Sequence, residues 1–217
     1  MIKKVFKIRV IAIILFVCLF KGYSQTDNND DFKEVESIAK KMFVDMNNRD
    51  YDAIIDMMHP NVFEMVPKET LKTLFKSALE GNEAYSIELP TSIPEYKVSK
   101  IFKSEEENLE YSFVSYEMDM KMTFNNEEFD EEAKEMMIPM MKAQGMDVEF
   151  ISNNTMSVSM KDRMTVIMKD DSTDNTWVMI NYDPDSPLFY QIVPSSLIET
   201  AKEYKQNLML ESKKKRE

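Results

Sequence analysis

Cysteine is nearly absent from this chain: Cys18 is the only one, and it lies within residues 1–24, a segment predicted below to be removed. A chain without cysteine forms no disulfide and offers no thiolate to a metal or a substrate, so its stability has to come from a packed core. Glycine is almost as scarce, with three in 217 residues. That excludes a phosphate loop, a dinucleotide fingerprint and a G-x-S-x-G nucleophile elbow, each of which places glycines at fixed spacing. Histidine occurs once, at His59, which excludes a His-rich zinc site. The acidic stretches 105–107, 127–132 and 170–174 lack the glycine and terminal glutamate of a calcium-binding loop and read as solvated loops and helix faces. No cofactor and no metal is therefore expected, and neither an internal repeat nor a linker divides the chain.

The first feature that is present is an address. Lys3, Lys4, Lys7 and Arg9, with no acid among them, precede an unbroken apolar run over residues 10–20, and Gly22 and Ser24 follow as the small residues of a cleavage site. This is the three-part pattern of a secretory signal peptide, predicted to cover 1–24. The run is well short of the about 20 apolar residues that a spanning helix needs, so no membrane span is expected after cleavage. Leu15-Phe16-Val17-Cys18 outlines a lipoprotein signal, but Val17 is bulky where such signals carry a small residue. A periplasmic or secreted protein is the reading taken. Removing the five basic residues of this segment, Lys21 included, takes the formal net charge from −12 to −17. Such a surface repels phosphate backbones and anionic lipid, so nucleic acid is not an expected partner.

After a polar leader at 25–30, Phe32, Val35, Ile38, Ala39, Met42, Phe43 and Met46 recur at helical spacing and predict a first helix. Asp50 stands as the N-cap of a second, ended near His59 by Pro60. A brief strand is predicted at 62–66, then a third helix opened by Pro67 and closed by Gly81. From residue 85 the period changes to two. The longest strand, 109–124, carries Leu109, Tyr111 and Phe113 on one parity and Val114, Tyr116, Met118, Met120, Met122 and Phe124 on the other, which predicts a bulge near Phe113. Helical spacing returns in a Met-rich insertion at 125–146. A second long alternation, Met156, Val158, Met160, Met164, Val166 and Met168, precedes a last strand at 176–182, and Ser196 and Glu199 suggest a capping box for a final helix. The fold class is thus α+β: one domain over 31–210, with N-terminal helices packed on a strongly bent antiparallel sheet, a helical insertion, an extra C-terminal helix and a charged tail at 211–217.

This order of elements, with the local run Asp50-Tyr51-Asp52-Ala53-Ile54-Ile55-Asp56-Met57-Met58-His59-Pro60, resembles the nuclear-transport-factor-2-like group of the cystatin-like α+β folds over about 31–183. The resemblance implies a sheet curled into a cone around a pocket, used in some members for catalysis on small hydrophobic molecules and in others for binding or assembly. The insertion and the C-terminal helix depart from that pattern and would fill or cover the pocket.

Methionine is the compositional excess, at 20 residues. Met118, Met120 and Met122 share a strand face. Thioethers in such an array are ligands for Cu(I), but alternation is also what a core face requires, and packing is the reading taken. An adaptable Met-rich pocket for an apolar ligand ranks above copper. Asp162 shares the parity of Met160 and Met164, so a straight strand aims its carboxylate into that pocket as a candidate general acid or base; the polar triplet Lys161-Asp162-Arg163 reads instead as a bulge or turn. The expected function is an exported, non-catalytic domain that binds a small apolar ligand or a protein partner through the concave sheet face, at Tyr116, Met118, Met120, Met122, Met160, Asp162, Met164 and His59. The alternative is an acid/base enzyme using Asp162 or His59, with Cu(I) binding third.

Overall fold

The helical spacing at the start of the domain is realised as α1 (Asn29–Asn48), whose Val35, Ala39, Met42 and Phe43 form one buried stripe. The computed structural model describes residues 29–214. The predicted signal peptide, most of the polar leader and residues 215–217 lie outside the described residues. Asp50 caps α2 (Tyr51–Asp56) by accepting a hydrogen bond from the Ala53 amide at 3.1 Å. The brief strand expected at 62–66 is instead one helical turn, α3 (Val62–Met65). Its amides find local acceptors, Val62 N–H donating to His59 O and Phe63 N–H to Pro60 O. Only Val62 of that turn is buried, so no alternation exists for a sheet to exploit. α4 (Lys68–Glu80) ends at Gly81, whose φ of 96° and whose approach to the Tyr85 carbonyl leave no room for a Cβ.

Seven antiparallel strands follow. β1 (Tyr85–Glu88), β2 (Tyr96–Val98) and β3 (Phe102–Ser104) pair in turn along one edge of β4 (Leu109–Phe124). The other edge of β4 pairs with β6 (Thr155–Lys169), and β6 carries β5 (Met146–Phe150) and β7 (Val178–Asn181) on its far side. The sheet does not close on itself. α5 (Glu131–Ala143) is the inserted helix between β4 and β5, and α6 (Pro187–Ile192) and α7 (Ser195–Lys214) end the described chain. α7 begins at Ser195, so Ser196 lies within its first turn rather than at the N-cap position expected for a capping box, and its side chain donates to Glu107. With seven helices among the described residues, the protein is α+β.

The two parities of β4 are both apolar for a reason other than the predicted bulge near Phe113. Pairing with β6 is regular from Glu110 to Tyr116. Leu109, Tyr111 and Phe113 face α6 and α7, while Val114 and Tyr116 face α1, α2 and α4, so this half of the sheet is buried on both sides. The irregularity comes later. Tyr116 pairs with Arg163 but Met118 pairs with Met160, so the extra residue is on β6, at Lys161-Asp162. Asp162 adopts φ 55°, the left-handed conformation of a bulge residue.

Candidate functional site

That extra residue sorts the methionines. Met118, Met120 and Met122 face the same way as Met156, Val158 and Met160, their partners across the ladder. One residue is added at Asp162, so Met164, Val166 and Met168 emerge on the opposite face, under α6 and α7. Met164 therefore does not belong with the other methionines, although its parity in the sequence is the same. Tyr116 is separated differently: it is buried under α1, edge-to-face with Phe43 at 5.0 Å. Four of the eight predicted residues, Met118, Met120, Met122 and Met160, are brought together.

What sequence reasoning missed is the third strand; the helical insertion expected to fill or cover the pocket is present as α5. β5 adds Met146, Val148 and Phe150 in register with Met160, Val158 and Met156. Its period-two pattern begins right after Gly145 and was the available signal. α5 then lies over this layer through Met137 and Met141, while Met136 and Met140 remain 68% and 59% exposed on its outer side. No residue of α5 is fully buried. Its entry is anchored: Phe129 packs edge-on to Phe124 at 4.9 Å and against Phe150 at 5.8 Å, Asp130 caps the helix, and Lys134 reaches Asn153 at 3.0 Å. Its exit is Gly145 at φ 80°, with open space around its Cα. A small cavity of about 110 Å³ adjoins Met118, between Phe43, Met46, Leu89 and Pro90.

Asp162 is part of a latch rather than of an apolar pocket. Its carboxylate accepts from Ser212 Oγ at 2.5 Å, and its carbonyl accepts from the Lys205 ammonium. Both donors belong to α7, two turns apart. Burial pushes the Lys205 pKa below its ordinary value, opposed by the nearby Asp162 charge. The bulge also borders a 680 Å³ groove against α7 that Tyr116 and Asp162 line together, with charged Glu95, Glu117 and Glu211 and apolar Leu208 around them, a mixed surface unlike the methionine layer.

His59 is fully buried. Its Nδ1 accepts the Asn61 amide at 3.2 Å, so the ring proton resides on Nε2, which faces Ser172 Oγ at 3.3 Å and the Asp170 carboxylate at 3.8 Å. The grouping of Ser172, His59 and Asp170 has the members of a catalytic triad in the wrong order. Ser172 gives its proton to Asp170 Oδ1 at 2.7 Å, and the imidazole nitrogen that faces it already carries one. Desolvation holds the His59 pKa below its ordinary value, against the pull of Asp170. The residue ties the exit of α2, whose His59 N–H donates to Met179 O at 2.9 Å, to the turn between β6 and β7. Asp162 is eight residues back along β6 from Asp170, roughly 25 Å away at the rise of a strand, so the two candidate acid/base groups do not share a cavity.

Among the described residues, no group of three His, Cys, Asp or Glu side chains is placed to hold a metal ion, and no helix is long and apolar enough to cross a membrane. Comparison with known proteins finds no matching family model, no matching curated protein and no matching solved structure.

Proposed function

We propose that this is an exported, non-catalytic domain that binds a small apolar ligand against the methionine-lined face of its sheet, with α5 as the adjustable cover. The observation that carries the reading is the contrast in cover: a layer of Met118, Met120, Met122, Met146, Met156 and Met160 lies under a helix with no fully buried residue. Unbranched thioether side chains repack around different shapes at small cost, which is how adaptable apolar sites are built. The separation of His59 from Asp162 supports a binding role over acid/base catalysis. Helices followed by long antiparallel strands support placing the domain with the nuclear-transport-factor-2-like folds, the methionine face then being the wall of the cone; the helical turn at α3 departs from the expected order.

The test is a fluorescence titration with N-phenyl-1-naphthylamine, an uncharged apolar probe. Saturable one-to-one binding is expected, lost in Met120→Lys and retained in Met164→Leu, which alters the opposite face. Binding that is equal in the two variants, or that never saturates, overturns the reading. A protein partner is the second reading, favoured by Met136 and Met140 on the outer side of α5; Met136→Glu with Met140→Glu then abolishes the partner's binding and leaves the probe's unchanged.

A further inference from the structure

At one level of the sheet three adjacent strands each contribute a methionine. Met118 on β4 pairs directly with Met160 on β6, and Met160 pairs directly with Met146 on β5. Residues paired in this way project from the same face, and neighbouring strands lie about 4.8 Å apart, so three thioethers stand side by side on adjacent backbones. The next level toward the distal tip reads Met120, Val158 and Val148, and the one beyond it Met122, Met156 and Phe150. All three methionines of the first row are half-buried, neither sealed in the core nor free in solvent. The row also abuts the bulge at Asp162, where the ladder is interrupted.

We propose that this row is a binding site for a soft monovalent cation, Cu(I) or its redox-inert analogue Ag(I), held by the sulfurs of Met118, Met146 and Met160. Thioether sulfur selects Cu(I) over the hard cations, which take oxygen ligands, and over zinc, which takes thiolate, imidazole or carboxylate. Three rotatable bonds per side chain let sulfurs on adjacent strands turn toward one point. The ligand set differs from the M-x-M-x-M array visible in the sequence, where successive same-face residues on one strand are about 7 Å apart; cross-strand neighbours are closer. The formal net charge of −12 raises the local concentration of any cation. Three neutral ligands release no proton on binding, so affinity is independent of pH from 5.5 to 7.5, unlike that of a thiolate or imidazole site. The inference stands apart from the apolar-ligand reading and uses only one edge of the same layer.

The experiment is a titration of Ag(I) in chloride-free buffer into the full chain carrying Cys18→Ser, so that no thiol competes, followed by the ¹³C-methyl signals of the methionines. The methyls of Met118, Met146 and Met160 are expected to move together and saturate at one Ag(I) per chain. Cu(I) supplied from a bathocuproine complex should move the same three. Met160→Leu preserves volume and apolar character and should abolish saturable Ag(I) binding while keeping a dispersed methyl spectrum, whereas Met164→Leu on the opposite face should bind Ag(I) as the unaltered chain does; if Met160→Leu loses its dispersed methyl spectrum, Met146→Leu on the outer strand makes the same test. Binding unchanged in Met160→Leu and Met146→Leu, shifts confined to the exposed Met136, Met140 and Met209, or no saturation at all would overturn the site.

Discussion

Asp162 has φ 55° and no opposite number on β4, and these two facts determine which side chains of β6 share a face. A non-glycine residue in the left-handed region costs about 1–2 kcal/mol when its side chain is β-branched or bulky, and less for Asp, which tolerates it. Asp162→Val should therefore destabilise the protein by about 1–2 kcal/mol more than Asp162→Gly does. Urea unfolding of the two variants compares them directly, since both lose the hydrogen bond from Ser212. His59 gives a second prediction at this scale. Its folded pKa is depressed below the ordinary 6.5 by desolvation, whereas the unfolded chain binds its proton near that value. Between the two values the unfolded state holds more protons, so stability rises with pH there. The contribution is complete above about pH 6.5 and is lost as the pH falls toward the lower folded value. The urea midpoint should fall between pH 7.5 and pH 5.5 in the wild type and be flatter in His59→Gln. An equal drop in both would remove His59 as the cause.

At the scale of elements, β4 is one strand with two environments. Residues 109–116 are enclosed by helices on both faces, and Phe113 is fully buried against Tyr204 of α7, with ring centroids 4.8 Å apart. Beyond the bulge, Glu117 and Asp119 are exposed on one face, and the other is covered by α1 at Met118 and by α5 beyond it. Phe113→Ala should cost about 3–5 kcal/mol, the range for emptying a core that cannot collapse. Met120→Leu should cost under about 1.5 kcal/mol, because α5 and its methionines reseat around it. Chemical denaturation of the two variants tests the contrast.

Much of this was legible in the sequence. Helical spacing revealed α1, α2, α4, α5 and α7, and period-two alternation revealed the long strands, because wherever one face is buried and the other is not the element's period is imposed on the sequence. The same logic explains the misreadings. Alternation of both parities around Phe113 signals two buried faces as readily as a bulge, and only pairing partners distinguish them. The bulge in β6 was legible in the polar triplet Lys161-Asp162-Arg163, but its consequence was not: Met160 and Met164 keep their parity in the sequence while a left-handed residue between them reverses their facing. β3 is three residues long, too short for periodicity to separate it from the segments beside it, and β5 follows the inserted helix so closely, at Met146 after Ala143, that its alternation reads as part of the insertion. Half of the candidate site was thus visible as strand methionines and the covering helix as helical spacing, while the part contributed by β5 depended on tertiary pairing.

For the whole molecule, the consequence is a domain with one rigid half and one adaptable half. The rigid half holds the sandwiched strands, the His59 anchor and the α7 latch on Asp162; the adaptable half is the methionine layer and its helix. Hydrogen exchange should show this gradient, with amides of α5 and β5 exchanging well before those of β7 and of β4 near Phe113, since opening free energy follows the depth of packing. Uniform protection across both halves would contradict it. The excess of methionine also supplies the probe for the central claim, because each ¹³C-labelled methyl reports on its own position. The most direct measurement is a titration of the methyl-labelled protein with N-phenyl-1-naphthylamine, whose ring currents shift nearby methyls. The account predicts saturable shifts at Met118, Met120, Met122, Met137, Met141, Met146, Met156 and Met160, with Met164 and Met168 unmoved on the opposite face. Shifts at Met164 and Met168, or no saturable shift in the layer beneath α5, would contradict it.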